Sequence, residues 1–292
     1  MSNNGKITEY RMSPIHFISL LVISLSYIIY QAAIPSLKDV LFGFLCHFVL
    51  TTIPMSVGLH RFFSHAAFEA NRVVTFLLAV MSCLAYQYGP IWWSCKHRRH
   101  HKFCDRPEDP HSWKNKGLLY AWILWTLHDS EYPIQEEYVH ARFKNSKGKI
   151  FPELLFMDKY WYLPSQLIAL VAVTVYQVPL ATMLWRFYVP TMLCPIATLW
   201  FNCQFHPPTA EALKGTMCGA IDLLSDPLAY LHGEGYHRDH HVHPRKAQRP
   251  GPDLAWYLFI SPLMTLGVFS PLTLKQNLAA DDEGDQLVYD KK

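Results

Sequence analysis

Charge is the first thing this sequence lacks. Asp, Glu, Lys and Arg make up 17% of its 292 residues, against ~25% in ordinary soluble domains. Hydrophobic residues reach 51%, so the deficit points to lipid. Net charge is only +3. No basic run carries aromatics spaced to stack bases, which excludes a nucleic-acid partner. None of the seven cysteines (46, 83, 95, 104, 194, 203, 218) stands in a C-x-x-C pair. They resemble neither a disulfide framework nor a thiolate zinc site, and a reducing or membrane-buried setting is expected. An Asn-x-Ser/Thr acceptor, an internal repeat and a low-complexity tract are also missing. The apolar run after the polar residues 1–11 has no small-residue cleavage site, so a removable signal peptide is not expected.

What is present in quantity is apolar sequence in long runs. Four segments, Pro14–Ile34, Leu37–Leu59, Tyr162–Ala181 and Met183–Gln204, have the ~20 residues needed to cross a hydrocarbon core of ~30 Å. Tight connections join them in pairs, so each pair reads as a hairpin. Val73–Trp93, Leu254–Leu272 and the shorter Gly117–Leu127 compete. Val73–Trp93 is expected to lie in the interface rather than cross, because a crossing there would put the histidines before and after it on opposite faces. Of 26 Lys and Arg, only Lys38 and Arg186 fall within the hairpins, which leaves 24 on the face that carries both termini. By the positive-inside rule that face is cytosolic.

The other excess is histidine, sixteen residues in clusters. His60-Arg-Phe-Phe-Ser-His65 follows the second apolar run, and His97-Arg-Arg-His100-His101 and His237-Arg-Asp-His240-His241 form two H-x-x-H-H boxes. His206 stands four residues after Asn202 at the end of the last run. Positions i, i+3 and i+4 share a helix face, so each box aims three imidazoles at one point. His60 and His65 are five apart, about 140° around an α-helix, as if they served two metals or straddled a helix end. Zinc is usually satisfied by four ligands. Nine imidazoles suit two metal ions with open positions, and imidazole suits iron. His16, His47, His128 and His140 read as core or interfacial residues, and His111, His232 and His243 as neighbours of the boxes.

The expected architecture is an all-α membrane protein: four transmembrane helices, paired as two hairpins, capped by a cytosolic helical domain with a histidine-ligated di-metal site. Residues 1–13 form a cytosolic N-terminus, 14–59 the first hairpin and 60–161 a cap with the first two histidine boxes. Residues 162–204 form the second hairpin, 205–280 a cytosolic region with His206 and the third box, and 281–292 an acidic tail expected to be mobile.

The histidine sets and their neighbours, namely Asp109-Pro110-His111 after the second box, Asn202-x-x-x-His206 and Gly233-Glu234-Gly235 before the third, resemble the integral-membrane acyl-CoA desaturases of the stearoyl (Δ9-like) type. The resemblance covers about His60 to Pro244. It implies that His60, His65, His97, His100, His101, His206, His237, His240 and His241 hold two irons, with Asn202 reaching one through a water. It implies O2 as co-substrate and a bent apolar tunnel for a long acyl chain, with Trp92, Trp93 and Trp200 as candidate lining. Electrons would come from a separate carrier such as cytochrome b5 or ferredoxin with its reductase. The membrane would be the endoplasmic reticulum in a eukaryote and the inner membrane in a bacterium. Asp105, Asp109, Glu234 and Asp239 are candidates to orient the imidazoles.

Two departures from the resembled enzymes bear on the acyl carrier. Lys96 stands where they carry an acidic residue before the second box, and His128-Asp-Ser-Glu-Tyr-Pro133 is acidic where they carry a basic cluster that helps bind CoA phosphates. CoA, acyl carrier protein, free acid and complex lipid therefore stay open as carriers. Hydroxylation, acetylene formation and oxidative decarboxylation stay open as outcomes, because ligand spacing does not separate them. A metal transporter would need polar residues along its spans, and these spans have almost none.

Overall fold

The computed structural model describes residue 25, residues 34–208 and residues 218–273. The expected cytosolic N-terminus, nearly all of the first expected crossing and the acidic tail lie outside the described residues.

The long first helix, α1 (Leu37–Ser64), is 28 residues and contains an 18-residue stretch with a mean hydropathy of 1.9. Ser36 starts it with a reciprocal cap: its hydroxyl accepts from Asp39 N, and the Asp39 carboxylate accepts from Ser36 N. Pro54 removes one donor from the i→i−4 ladder, and Thr51–Ser64 is wound in wider π turns. That winding changes the reading of His60 and His65. Its hydrogen bonds run i→i+5, His65 N donates to His60 O at 3.2 Å, and residues five apart lie nearly over one another. Of the two arrangements expected for this pair, service to two separate metals is not what the structure has, while straddling a helix end is: His60 lies within the helix and His65 caps its end.

The next helix, α2 (Arg72–Ser82), is capped by Asn71, whose side chain accepts from Val74 N. It packs so closely on α1 that a Cβ at Gly58 would stand 2.1 Å from Ser82 Oγ. The chain turns at left-handed Tyr86 and enters α3 (Pro90–Phe103), with a 76° bend between Arg72–Ala85 and Pro90–Phe103. Val73–Trp93 is therefore no straight span. Asp158 on α4 (Pro152–Lys159) accepts from Ile91 N and Trp92 N and so closes the start of α3. Short helical turns fill residues 113–143.

After α5 (Leu163–Thr174), two short helical pieces over Leu180–Tyr188 lead into α6 (Val189–Phe205), which packs along α1. Two short helices follow, α7 (Pro227–Leu231) and α8 (His237–Val242). The chain closes through α9 (Ser261–Thr265) and an antiparallel pairing of β1 (Glu69–Ala70) with β2 (Phe269–Ser270).

The protein is thus mostly helical, as expected. Of the four expected crossings, α1 alone among the described residues is an unbroken helix long and apolar enough to cross a bilayer. At twelve residues, α5 reaches only ~18 Å. Apolar side chains nevertheless face outward on both: Leu41, Phe44 and Leu45 on α1, and Leu167, Leu170 and Val171 on α5. Contiguous exposed apolar surface of this kind marks contact with lipid or another protein. The interior is aromatic, with Phe62, Phe63, Phe68, Phe143, Trp92 and Trp161 all at most 2% exposed. Each such burial contributes roughly 2–3 kcal/mol.

Candidate metal centre

Four helices carry the histidines to one place. The end of α1 brings His60 and His65, α3 brings His97, His100 and His101, the C-terminal end of α6 brings His206, and α8 brings His237, His240 and His241. All are buried.

Their Nε2 atoms fall into two groups. In the first, His60–His240, His240–His101, His101–His97 and His97–His65 are 2.9, 3.1, 3.0 and 2.9 Å apart. In the second, His100–His206, His206–His237 and His237–His241 are 3.2, 3.0 and 3.1 Å apart. These cannot all be hydrogen bonds, since a neutral imidazole has one N–H to give and His97, His101, His240, His206 and His237 each face two neighbours through one nitrogen. The spacing matches the edge between adjacent ligands about 2.1 Å from a shared cation, ~3.0 Å for a right angle. Desolvation drives most of these imidazoles toward the neutral form that binds metal, with His97, His101, His240 and His241 lowered well below the ordinary histidine value. The residues fit metal at both groups.

The far sides of the rings differ. His60 Nδ1 lies 3.3 Å from Glu234, which also accepts from Ser56 Oγ at 2.6 Å and from Arg61. His100 Nδ1 lies 2.9 Å from Asp109, and His206 Nδ1 lies 3.8 Å from Asp105. Burial opposes charge on Asp109, yet His100 wins and holds the carboxyl below the ordinary range; Asp109 in turn holds His100 above its usual value. Asp239 instead faces Lys246 at 3.5 Å, away from the rings. Among the described residues, His65, His101, His237 and His240 have no hydrogen-bond partner on Nδ1.

Arg61 and Asp253 carried no signal of this role in the sequence, and His111 was read only as a neighbour of the boxes. Arg61 is fully buried and donates to Asp253 at 2.9 Å, to His232 O and to Ala247 O. It thereby ties the first histidine set to the loop after the third. Gly233, at φ +77°, leaves room for Asp253, which a Cβ would approach to 2.7 Å. His111 stacks on His100 at 4.3 Å, and burial followed by the charge of His100 lowers it to about 3. Cys104 and Cys218 form a disulfide across 114 residues. This corrects the expectation of unpaired cysteines; such a pairing depends on folded geometry and is invisible in the spacing.

A cavity of about 190 Å³ opens beside the first group, with His60, His97 and His237 on its wall. Met55, Trp93, Ala197 and Phe201 make it apolar, and Asn202 and Trp200 also line it. Trp93 Nε1 donates to Gln87, which donates to Thr198 at 3.0 Å, so this part of the wall is braced. Trp92 is absent from the lining: it stacks on Trp125 and donates to Glu131 O. His47, read from sequence as a core or interfacial residue, and His232, read as a neighbour of the third box, face the cavity, while His128 and His243 are exposed. Lys96 and Arg99 both pair with buried Glu131, at 3.2 and 2.9 Å.

Fold and site together define a helical metalloprotein whose polyhistidine centre faces an apolar cavity. A family model described as fatty acid desaturase matches residues 39–259. An sn-2 palmitoyl-lipid 9-desaturase of Nostoc sp. (strain 36) is 28% identical over 236 residues, 76% of this chain and 77% of the relative. Acyl-CoA desaturase 3 of Mus musculus is 26% identical over 243 residues, 81% of this chain and 66% of the relative. A hex-5-enoyl-(acyl-carrier protein) acetylenase of Moorena producens (strain JHB) is 45% identical over 78 residues, 27% of this chain and 24% of the relative. The chain belongs to the fatty acid desaturase family and is an oxidoreductase of fatty acyl chains.

Proposed function

We propose that this protein is a multi-pass membrane desaturase that uses two iron ions and O2 to place a double bond in a long acyl chain. The observation that carries the proposal is the division of nine Nε2 atoms into two metal-sized groups at the wall of one apolar cavity. Iron held there supplies, with O2 and electrons from an external carrier such as cytochrome b5 or ferredoxin, the oxidising power for unactivated C–H bonds that side chains lack.

The chain's own residues do the rest. Met55, Trp93 and Phe201 give the methylenes a dry surface, and burial there excludes water from the reacting carbons. The braced Gln87–Trp93 contact holds that wall fixed, so one stretch of the acyl chain meets the histidine end. Asn202, on the same wall, would hold a water toward one of the irons. Both termini and the centre face the cytosol, and four crossings with an even number between the boxes accommodate this. The outward apolar faces of α1 and α5 support a lipid setting.

The carrier we favour is a lipid or a carrier protein rather than CoA. Lys96 and Arg99 are committed to Glu131 and are not free for a phosphate cluster.

A second reading, acetylene formation, is favoured by the 45% local identity to the acetylenase. Mass analysis of products from a saturated acyl chain and from its alkene tests both. Loss of two hydrogens from the saturated substrate supports desaturation. Turnover of the alkene alone supports the acetylenase, and gain of oxygen contradicts both.

A further inference from the structure

The disulfide joins the residue that follows α3 to the segment that leads toward α8, with Cα atoms 5.2 Å apart. Cys104 Sγ lies 3.6 Å from His206 Nδ1, and Cys218 Sγ lies 3.6 Å from His241 Nδ1. Both imidazoles turn their other nitrogen to the second metal group. Asp105, next to Cys104, accepts from Gly219 N at 2.7 Å, next to Cys218, and reaches His206. The cystine and Asp105 thus occupy, behind His206 and His241, the place that Asp109 occupies behind His100. Cys104 is 8% exposed and Cys218 is half-buried, so an oxidant from solvent meets Cys218 first.

We infer that Cys104 and Cys218 are a site of reversible oxidation, a dithiol closed by hydrogen peroxide and opened by a thiol reductant, that sets how firmly the second histidine group holds its metal. This rests on the metal-centre reading. Peroxide is also the product of O2 reduced at such a centre without substrate oxidation. The Cys218 sulfur attacks peroxide, giving a sulfenic acid and one water. The Cys104 sulfur then displaces the oxygen as a second water and the S–S bond forms. Two electrons pass from the two sulfurs to the peroxide oxygens, and both thiol protons leave in water. A dithiol reductant returns two electrons and two protons by exchange. Closed, the bond clamps α3 to the approach to α8 behind two ligands. Open, it frees that support. Partners behind metal-bound histidines typically carry ~10–100-fold in metal affinity.

The test uses full-length detergent-purified protein loaded with iron. After peroxide or dithiothreitol, and removal of the reagent, differential alkylation with peptide mass spectrometry reads the cysteine state. Transfer of ferrous iron to a colorimetric chelator reads retention. The expected result is a Cys104–Cys218 linked peptide after peroxide and two alkylated thiols after reductant. Roughly half of the iron should then leave about tenfold faster from the reduced protein and from Cys218→Ser than from the oxidised protein. Cys46→Ser should match the wild type. Free Cys104 and Cys218 after peroxide would overturn the inference, as would equal release rates in the two states. A chain that binds no iron in either state contradicts the di-iron reading instead, and the linked peptide still decides whether the oxidation site exists.

Discussion

The two halves of the metal centre are built differently. The first gathers five imidazoles, from His60, His65, His97, His101 and His240, and among the described residues only His60 has a carboxylate behind it. The second gathers four, from His100, His206, His237 and His241, and places Asp109, Asp105 and the cystine behind three of them. One half has more imidazoles with little behind them; the other has fewer imidazoles with charge and a covalent link behind them. A polyhistidine centre can therefore be assembled by either route within one protein. The half with fewer ligands should be the more sensitive to its surroundings.

The largest effect should follow loss of a ligand from the smaller group. His206→Ala leaves three imidazoles in the second half and should remove one metal, with at least a hundredfold fall in activity. His101→Ala leaves four in the first half and should weaken metal without emptying it. Metal analysis of the two variants checks the contrast, and equal losses would remove the distinction.

Next in size is Glu234→Ala. It leaves Arg61 buried beside Asp253 alone and should cost about 3–5 kcal/mol, because half of a buried ion network is worse than none. Thermal unfolding in detergent measures it, and Glu234→Gln should recover part of the loss by keeping the contact to Ser56.

Asp109→Asn should act on the second half alone. It removes the negative charge behind His100 and should lower metal affinity there by ~10–100-fold, with the first half unchanged. Chelator competition resolves the two.

The smallest effect concerns His140, away from the centre. Burial, followed by Arg98, Arg142, Arg245 and Lys144, lowers it to about 2. The folded chain then keeps it neutral while the unfolded chain protonates it near pH 6.5. Unfolded protein binds the extra proton, so stability falls as pH drops below about 6.5, at up to ~1.4 kcal/mol per unit from this group. His140→Gln should flatten that slope between pH 6.5 and 5 in denaturation measured against pH.

Much of this was legible in the chain because ligand spacing is a local property. H-x-x-H-H is read directly from helical periodicity, and α3 and α8 carry the two boxes as helices. His60 and His65 were harder, since their convergence depends on π winding around Pro54, which no periodicity rule for α-helices anticipates. The supports behind the rings were partly legible. Asp109 and Glu234 are close to the boxes in sequence. Asp253, the Cys104–Cys218 pair and the Gln87–Thr198 brace join residues 100 or more apart, and only the fold brings them together. Asp239 shows the opposite error. It sits inside a box, yet its place on α8 turns it toward Lys246. The crossings were least legible: apolar length was clear, but the break between α2 and α3 and the shortness of α5 depend on turns at Tyr86 and after Thr174.

The most direct test of two metal groups at one site is iron counted per chain in protein purified from iron-replete cells, beside the double variant His100→Ala/His240→Ala. The account predicts about two irons in the wild type, as nine imidazoles in two groups require, and at most one, weakly held by the four imidazoles left in the first half, in the variant, with activity lost alongside. Zinc without iron in the wild type, or iron undiminished in the variant, would contradict it.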